Sequence, residues 1–463
     1  MTADSGATLE RRLGVFSATT IIVGSMIGSG IFIAPSIMAG LVGTPGVYLA
    51  LWLAAGVFTL LGAVSYGELC GMLPRAGGQY VFLREAFGPL VAYLYGWTFF
   101  TVIQTGTAAA VAIAFAKFLG GLGLGVGEEQ VIFSAGPVTI STAQLAAVGV
   151  VLFLTWVTGR GVKQGALVQD SATVLKVGAI LALIVLGFWL GKGSSANFVP
   201  LVGAQVGSRA GELGFWAAVG LALSKALFAY DAWNTVGFVA EETRDPGRNL
   251  PRALVAGTLL VTVVYTAICA VYLYLFPLER MAGLPENRVG AEVGGLLFGP
   301  FGIKAVSVAA LVSTFGCLNG VLLGGGRVLY AMARDRLFFR GCAEVHPRFH
   351  TPVRALWVQG AWTAVLALSG SYSRLLTYVI FASTAFNVAT VAAVLVLRRK
   401  LPEAERPYRV WGYPLPPLLF VAGGLLFSGY MAVGDPLASL AGVGLVLLGL
   451  PAYALFRRRA TVA

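Results

Sequence analysis

The sequence predicts an all-α polytopic membrane protein of twelve spans, arranged as five plus five plus two, with the second five inverted relative to the first. Three observations predict it. Of 463 residues, 57% are hydrophobic and only 11% charged, too little charge to cover a soluble chain of this size. Apolar runs recur from Leu13 to the C-terminus, each long enough to cross a bilayer as a helix. Two of these runs are interrupted near their middles, and they open the two sets of five. Interruptions at matching positions of two inverted halves are the best pointer a sequence offers to the binding site of a transporter.

The spans are read at 14–38, 45–70, 89–119, 138–158, 168–190, 213–240, 251–276, 303–333, 352–370, 374–397, 414–433 and 437–457. No linker or low-complexity tract divides them, so the chain reads as one domain. It comprises a first repeat at about 14–190, a second at 213–397, and two further helices at 414–457. Polar residues precede span 1, which is too long for a signal-peptide core, and no cleaved signal is expected. The net charge of +12 does not indicate nucleic acid. With the N-terminus inside, and charges at span ends counted with the adjoining segment, the cytoplasmic segments hold 22 of the 32 Lys and Arg, the outer segments 6, and the span interiors the remaining four. That bias predicts that both termini are cytoplasmic, and the expected location is the plasma membrane.

Span 1 contains "IIVGSMIGSGIFIAP" at 21–35. Unwinding at Gly28-Ser29-Gly30 needs backbone angles that glycine adopts without a Cβ clash. The freed N–H groups then open a second half-helix whose dipole favours a carboxylate. Carbonyls near Ser25 and Met26 face the same space and suit an ammonium. Such backbone is tolerated at membrane depth only where it lines protein or water, and an α-amino acid carries both charges on one carbon. Close packing is the alternative, since Gly24-x-x-x-Gly28 also lets two helices touch. A nucleotide loop is disfavoured, because "GSMIGSG" lacks the lysine and the preceding strand.

After span 2, residues 75–88 are too short and polar to cross and predict a short amphipathic helix at the inner surface. Residues 286–299 offer an outer counterpart. In span 3, Lys117 lies near the outer end and is expected to snorkel. In span 5, Lys176 lies about eight residues, or roughly 12 Å, in from Val168. It reads as an internal cation tying span 5 to broken span 1, either fixed or titrating, with a wet cavity as the bland alternative.

Span 6 contains "ALFAYDAWNTVGF" at 226–238. Asp231, near mid-membrane, marks a pathway or has a partner. Lys225 is one candidate and a cation of the substrate another. Phe228 and Trp233 flank the break and suit either a cover over a small ligand or ordinary aromatic packing. Arg327 and Glu68 lie towards inner ends and read as structural.

Enzyme chemistry finds no support. The chain has no HExxH, no paired aspartates within spans and no serine-histidine set. Cys70, Cys269, Cys317 and Cys342 are scattered and show neither zinc spacing nor a disulfide framework. His346 and His350 lie in a loop with Pro347 between them, poorly placed as a metal pair. No metal or cofactor is expected.

"GSMIGSGIF" (24–32), "FAYDAWN" (228–234) with "EE" at 241–242, "DPGRNLPRA" (245–253) and "GRVLYAMARD" (326–335) resemble the amino acid–polyamine–organocation (APC) superfamily. Within it the chain looks most like the bacterial relatives of the L-amino acid transporter (LAT) branch, over about residues 10–400. The resemblance implies the LeuT fold, with alternating access by rocking and gating. It places the substrate carboxylate on the backbone of Ser29 and Gly30. The amino group then meets carbonyls around Met26, Phe228 and Asp231, Phe228 is the aromatic gate, and Ser25, Gly28 and Ala229 complete the expected substrate-binding residues. Ile103, Thr107 and Val111 line the side-chain pocket. Lys176 matches a span 5 lysine that occupies the place of a sodium ion in sodium-coupled relatives, which implies no sodium requirement.

This chain departs from the pattern at Asp231 and Ala232, where many members have glycine, and Lys225 lies outside the pattern. The expected function is secondary transport of L-amino acids, neutral ones first, by exchange or proton symport. Cationic amino acids or polyamines are the second reading, through Asp231. A non-transporting sensor is the third, disfavoured by the short tails. Animal members pair with a glycoprotein through a cysteine after span 3. The segment "GGLGLGVGEEQVIFSAGP" has none, so no disulfide-linked partner is expected.

Overall fold

A computed structural model describes residues 9–135, 138–211, 214–284, 288–369, 372–434 and 436–461. Helices fall on all twelve expected spans. Span 1 is two helices, α1 (Val15–Met26) and α2 (Gly30–Leu41), and α3 (Pro45–Met72) is span 2. The short α4 (Gln79–Phe87) leads to α5 (Pro89–Thr98), a π-helical turn at Phe99–Ile103, and α6 (Gln104–Gly120). After a β-ribbon, β1 (Val131–Ala135) and β2 (Val138–Ser141), come α7 (Thr142–Gly159) and α8 (Val162–Trp189). The second set runs α9 (Phe215–Ala229), α10 (Pro246–Leu275), α11 (Leu278–Ala282), α12 (Val289–Phe298), α13 (Pro300–Arg334), α14 (Val353–Ser369) and α15 (Tyr372–Lys400). Then follow α16 (Leu415–Gly434), α17 (Pro436–Leu447) and α18 (Gly449–Thr461).

Ten helical stretches among the described residues are long and apolar enough to cross a membrane. The other two expected spans are α14, with 17 residues, and span 6, whose helix stops after 15. The second helices of the two sets, α3 and α10, pack along each other, and so do the third, α6 and α13.

Three helix starts differ from expectation by four residues or more, one of them α10, which begins at Pro246 rather than 251. Residues 138–141 are strand, because the β-branched run "VTIS" pairs antiparallel with 131–135. The helix begins only at Thr142, behind a capping box in which Ser141 N–H donates to Gln144 Oε1 at 2.8 Å. Span 5 starts at Val162 rather than 168, so Lys176 lies fourteen residues, or about 21 Å, along α8. The expected helix within 75–88 is α4, but it is tucked in rather than laid on the surface: Gln79 to Leu83 are all buried.

The structural charges are paired. Arg327 and Glu242 meet at 3.0 Å with no exposure on either side. Glu68 accepts from Arg398 and from Val410 N–H, each at 2.8 Å. Lys117 does more than snorkel, since it pairs with Glu128 at 3.0 Å. The first described residues form a strap over the end of span 6. Arg12 and Leu13 N–H donate to Glu242 O at 2.9 and 3.0 Å, and Arg244 N–H donates back to Leu13 O at 2.8 Å.

Span 6 leaves helical geometry after Ala229, turns through 230–234 and resumes as a 3₁₀ helix over Thr235–Glu242. Ala232 takes φ +68° there, a conformation costing an L-residue about 1–2 kcal/mol. Ala232→Gly is therefore expected to keep full uptake and raise thermal stability, whereas the β-branched Ala232→Val should lose folded protein. Thermal melting of the purified variants checks this, and equal melting of all three would refute it.

Candidate functional site

The break in span 1 falls where the glycines predicted it. The α-helical ladder stops at Ile27, whose N–H reaches Val23 O at 2.9 Å, and restarts when Ile33 N–H reaches Ser29 O at 3.2 Å. Ile27 itself sits at φ −76°, ψ 89°. α2 opens deep in the molecule, with Gly28, Ser29 and Gly30 all buried, and a helix start presents N–H groups that its own ladder does not take up; Phe32 N–H already turns back to Ser29 O at 3.1 Å.

Side chains from three other helices satisfy the carbonyls at the end of α1. Lys176 Nζ donates to Gly24 O and Ile27 O, both at 2.7 Å, and to Ser313 O at 3.0 Å. Ser313 Oγ also donates to Ile27 O at 3.0 Å. Cys317 Sγ donates to Ser25 O at 2.9 Å. Tyr265 Oη lies 2.8 Å from Met26 O and 3.2 Å from Ala229 O, so one hydroxyl touches both broken spans. The buried Ser25 Oγ has no hydrogen-bond partner among the described residues.

The two breaks meet directly. A Cβ on Gly30 would sit 2.8 Å from Ala229 Cβ and 2.9 Å from its Cα, and one on Gly28 would sit 2.7 Å from Cys317 Sγ.

Two adjoining cavities flank the turn at 230–234 and share Asp231, Ser383 and Asn387 as walls. Phe228, Tyr230 and Trp233 face the first, and Ile103, Gln104 and Thr107 the second. Asp231 accepts from Ser383 Oγ at 3.1 Å. Behind it runs a chain of neutral groups. Tyr95 Oη donates to Gln79 Oε1 at 2.7 Å, Gln79 Nε2 to Asn387 Oδ1 at 2.8 Å, and Asn387 Nδ2 to Ser383 Oγ at 3.3 Å. Asn234 Nδ2 bridges Gln79 Oε1 and Asn387 Oδ1, each at 3.0 Å. Fully bonded networks of this kind hold a core in one arrangement.

The family model described as amino acid permease matches residues 13–441. The chain belongs to that family. It is 32% identical over 461 residues to the serine/threonine exchanger SteT of Bacillus subtilis, covering 99% of each chain. It is 33% identical to the mouse large neutral amino acids transporter small subunit 2, across 97% of this chain and 81% of the relative. The mouse b(0,+)-type amino acid transporter 1 is 30% identical, across 87% and 79%. The permease is thus a polytopic transporter of the LeuT fold rather than an enzyme.

The permease brings its expected site residues together unevenly. Phe228, Asp231, Ile103 and Thr107 line the cavities. Ser25, Met26, Gly28, Ser29, Gly30 and Ala229 form the seam between the broken spans and line neither. Val111 is packed in the core. Eight residues beyond Ile103, it is rotated by about 80° from that face. Lys225 makes no ion pair with Asp231 among the described residues, so the carboxylate rests on Ser383. Trp233 stacks edge-on against Tyr66 and Phe420 besides facing the first cavity. Sequence reasoning missed Tyr265, Ser383, Asn387 and Gln79. Single polar residues on long apolar helices carry no periodic signal that separates a site from a satisfied core group.

Proposed function

We propose that the permease exchanges neutral L-amino acids across the plasma membrane by alternating access, without sodium. The observation that carries this reading is the seam itself: two interrupted spans in contact at Gly30 and Ala229, with the Lys176 ammonium seated on the carbonyls of one. The substrate carboxylate takes the N–H groups of Gly28, Ser29 and Gly30, where the α2 dipole favours it. The amino group takes carbonyls around Ser25, Met26 and the 228–231 turn. Phe228 covers the ligand, and the side chain points towards Ile103 and Thr107. Lys176 supplies a fixed positive charge at the break and removes the need for a metal cation. Exchange rather than net uptake is favoured by the likeness to a named serine/threonine exchanger.

The same reading puts both termini in the cytoplasm, divides the chain into inverted repeats at about 14–190 and 213–397 with two helices at 414–457, and needs no disulfide-linked glycoprotein. Proteoliposomes preloaded with one unlabelled amino acid test it. Labelled neutral amino acids should enter faster than into empty vesicles, with or without sodium. Failure of all twenty amino acids to compete would end it.

Asp231 favours a second reading, cationic amino acids or polyamines, because an uncompensated carboxylate faces both cavities. Asp231→Asn is then expected to weaken competition by arginine about tenfold or more and to leave neutral exchange within about twofold. Equal competition by arginine in both proteins would remove this reading.

A further inference from the structure

At the end of the molecule where Arg12 and Leu13 strap the end of span 6, a groove of about 910 Å³ runs between the first turns of α10 and the loop at Pro407 and Tyr408. That is far more room than an inorganic ion needs. Arg248 and Arg252 line its mouth, one helical turn apart, both exposed and neither in an ion pair among the described residues. They outweigh Asp245, the one acid of the lining, and the N-terminus of α10 adds partial positive charge.

The chemistry changes sharply along the helix. Ala256, Leu259 and Val263 follow Arg252 at one, two and three turns on the same face. Leu259 is 49% and Val263 58% exposed. Exposed aliphatic side chains on a membrane helix are covered by lipid tails. A cationic mouth opening onto an apolar stripe matches the shape and charge of a phospholipid. Basic pockets at this depth recognise anionic headgroups.

We propose that this groove holds one anionic phospholipid of the leaflet at this end of the molecule, its phosphate between Arg248 and Arg252 and an acyl chain along Ala256, Leu259 and Val263. The bound lipid braces the segment that directly follows the 3₁₀ half of span 6. The proposal rests on membrane insertion and not on the exchange reading, so either can fail alone.

Native mass spectrometry tests it on full-length permease released from nanodiscs containing equimolar phosphatidylglycerol and phosphatidylcholine. Wild type should retain one phosphatidylglycerol, preferred about 25-fold over phosphatidylcholine. Arg248→Gln/Arg252→Gln should lose that preference. Ala256→Trp keeps both charges and fills the groove, and should lose it too, while Arg399→Gln, on a different helix, should not. Added inorganic phosphate should leave the retained lipid in place. Equal retention of both lipids by wild type, unchanged preference in either groove variant, loss in Arg399→Gln, or displacement by inorganic phosphate would each overturn the proposal.

Discussion

Lys176→Ala is expected to lower amino acid exchange by about tenfold or more while weakening substrate binding far less. The ammonium holds three carbonyls on two helices, Gly24 O and Ile27 O of the broken span and Ser313 O of α13. Ile27 O keeps a second donor in Ser313 Oγ and Ser313 O keeps its place in the α13 ladder, but Gly24 O loses the only donor described for it. A buried acceptor so stranded costs about 1–3 kcal/mol, which shifts a conformational equilibrium by about tenfold or more. The substrate's own contacts are the N–H groups on the far side of the break, which the substitution does not remove. Ligand-induced thermal stabilisation reads binding, and counterflow in proteoliposomes reads exchange. Undiminished exchange would show that the ammonium is dispensable. Equal loss of both would point to collapse of the site instead. If the same lysine carries a proton, wild-type uptake should respond to an imposed pH gradient and the alanine variant should not. Indifference of the wild type would leave Lys176 a fixed charge.

The second large effect is at Gly30. A methyl there meets not only the Ala229 side chain at 2.8 Å but the Ala229 Cα at 2.9 Å. Backbone cannot rotate out of the way, so Gly30→Ala must push the two broken spans apart. Overpacking of this kind costs about 1–3 kcal/mol, spent at the seam where the substrate is to be gripped. Exchange is expected to fall at least about tenfold. Ala229→Gly in the same protein removes the side-chain clash and leaves the main-chain one, so it should restore only part of the activity. Full restoration would mean that the spans have slack at this point and that their contact is incidental.

Much of the architecture was legible because membrane helices write their length into composition. The break at Gly28–Gly30 was legible because glycine and serine are conspicuous in an apolar run, and the break at 230–234 because Asp231 is. Lys176 stood out for the same reason, although its depth was misjudged: the polar start of α8 looked like loop. The ribbon at 131–141 was read partly as span, since β-branched residues serve a strand and a membrane helix equally well. The turn at Phe99–Ile103 was invisible, because one extra residue in a helical turn leaves no mark on composition. It changes which side chains face the cavity. The amide chain through Gln79, Asn234 and Asn387 exists only by virtue of tertiary contacts between distant helices. No spacing rule along one chain reveals such contacts.

Tyr265 carries a consequence of its own. A phenol has a single hydrogen to give, yet its oxygen stands within reach of two acceptors, Met26 O and Ala229 O, one on each interrupted segment. Sharing is possible only while those acceptors converge. Once either segment moves off, the proton must choose, and the abandoned carbonyl is left to find water or ligand. The hydroxyl therefore works as a coincidence detector: it is satisfied on both sides only when the two halves of the molecule are in register, and motion of one half is felt by the other.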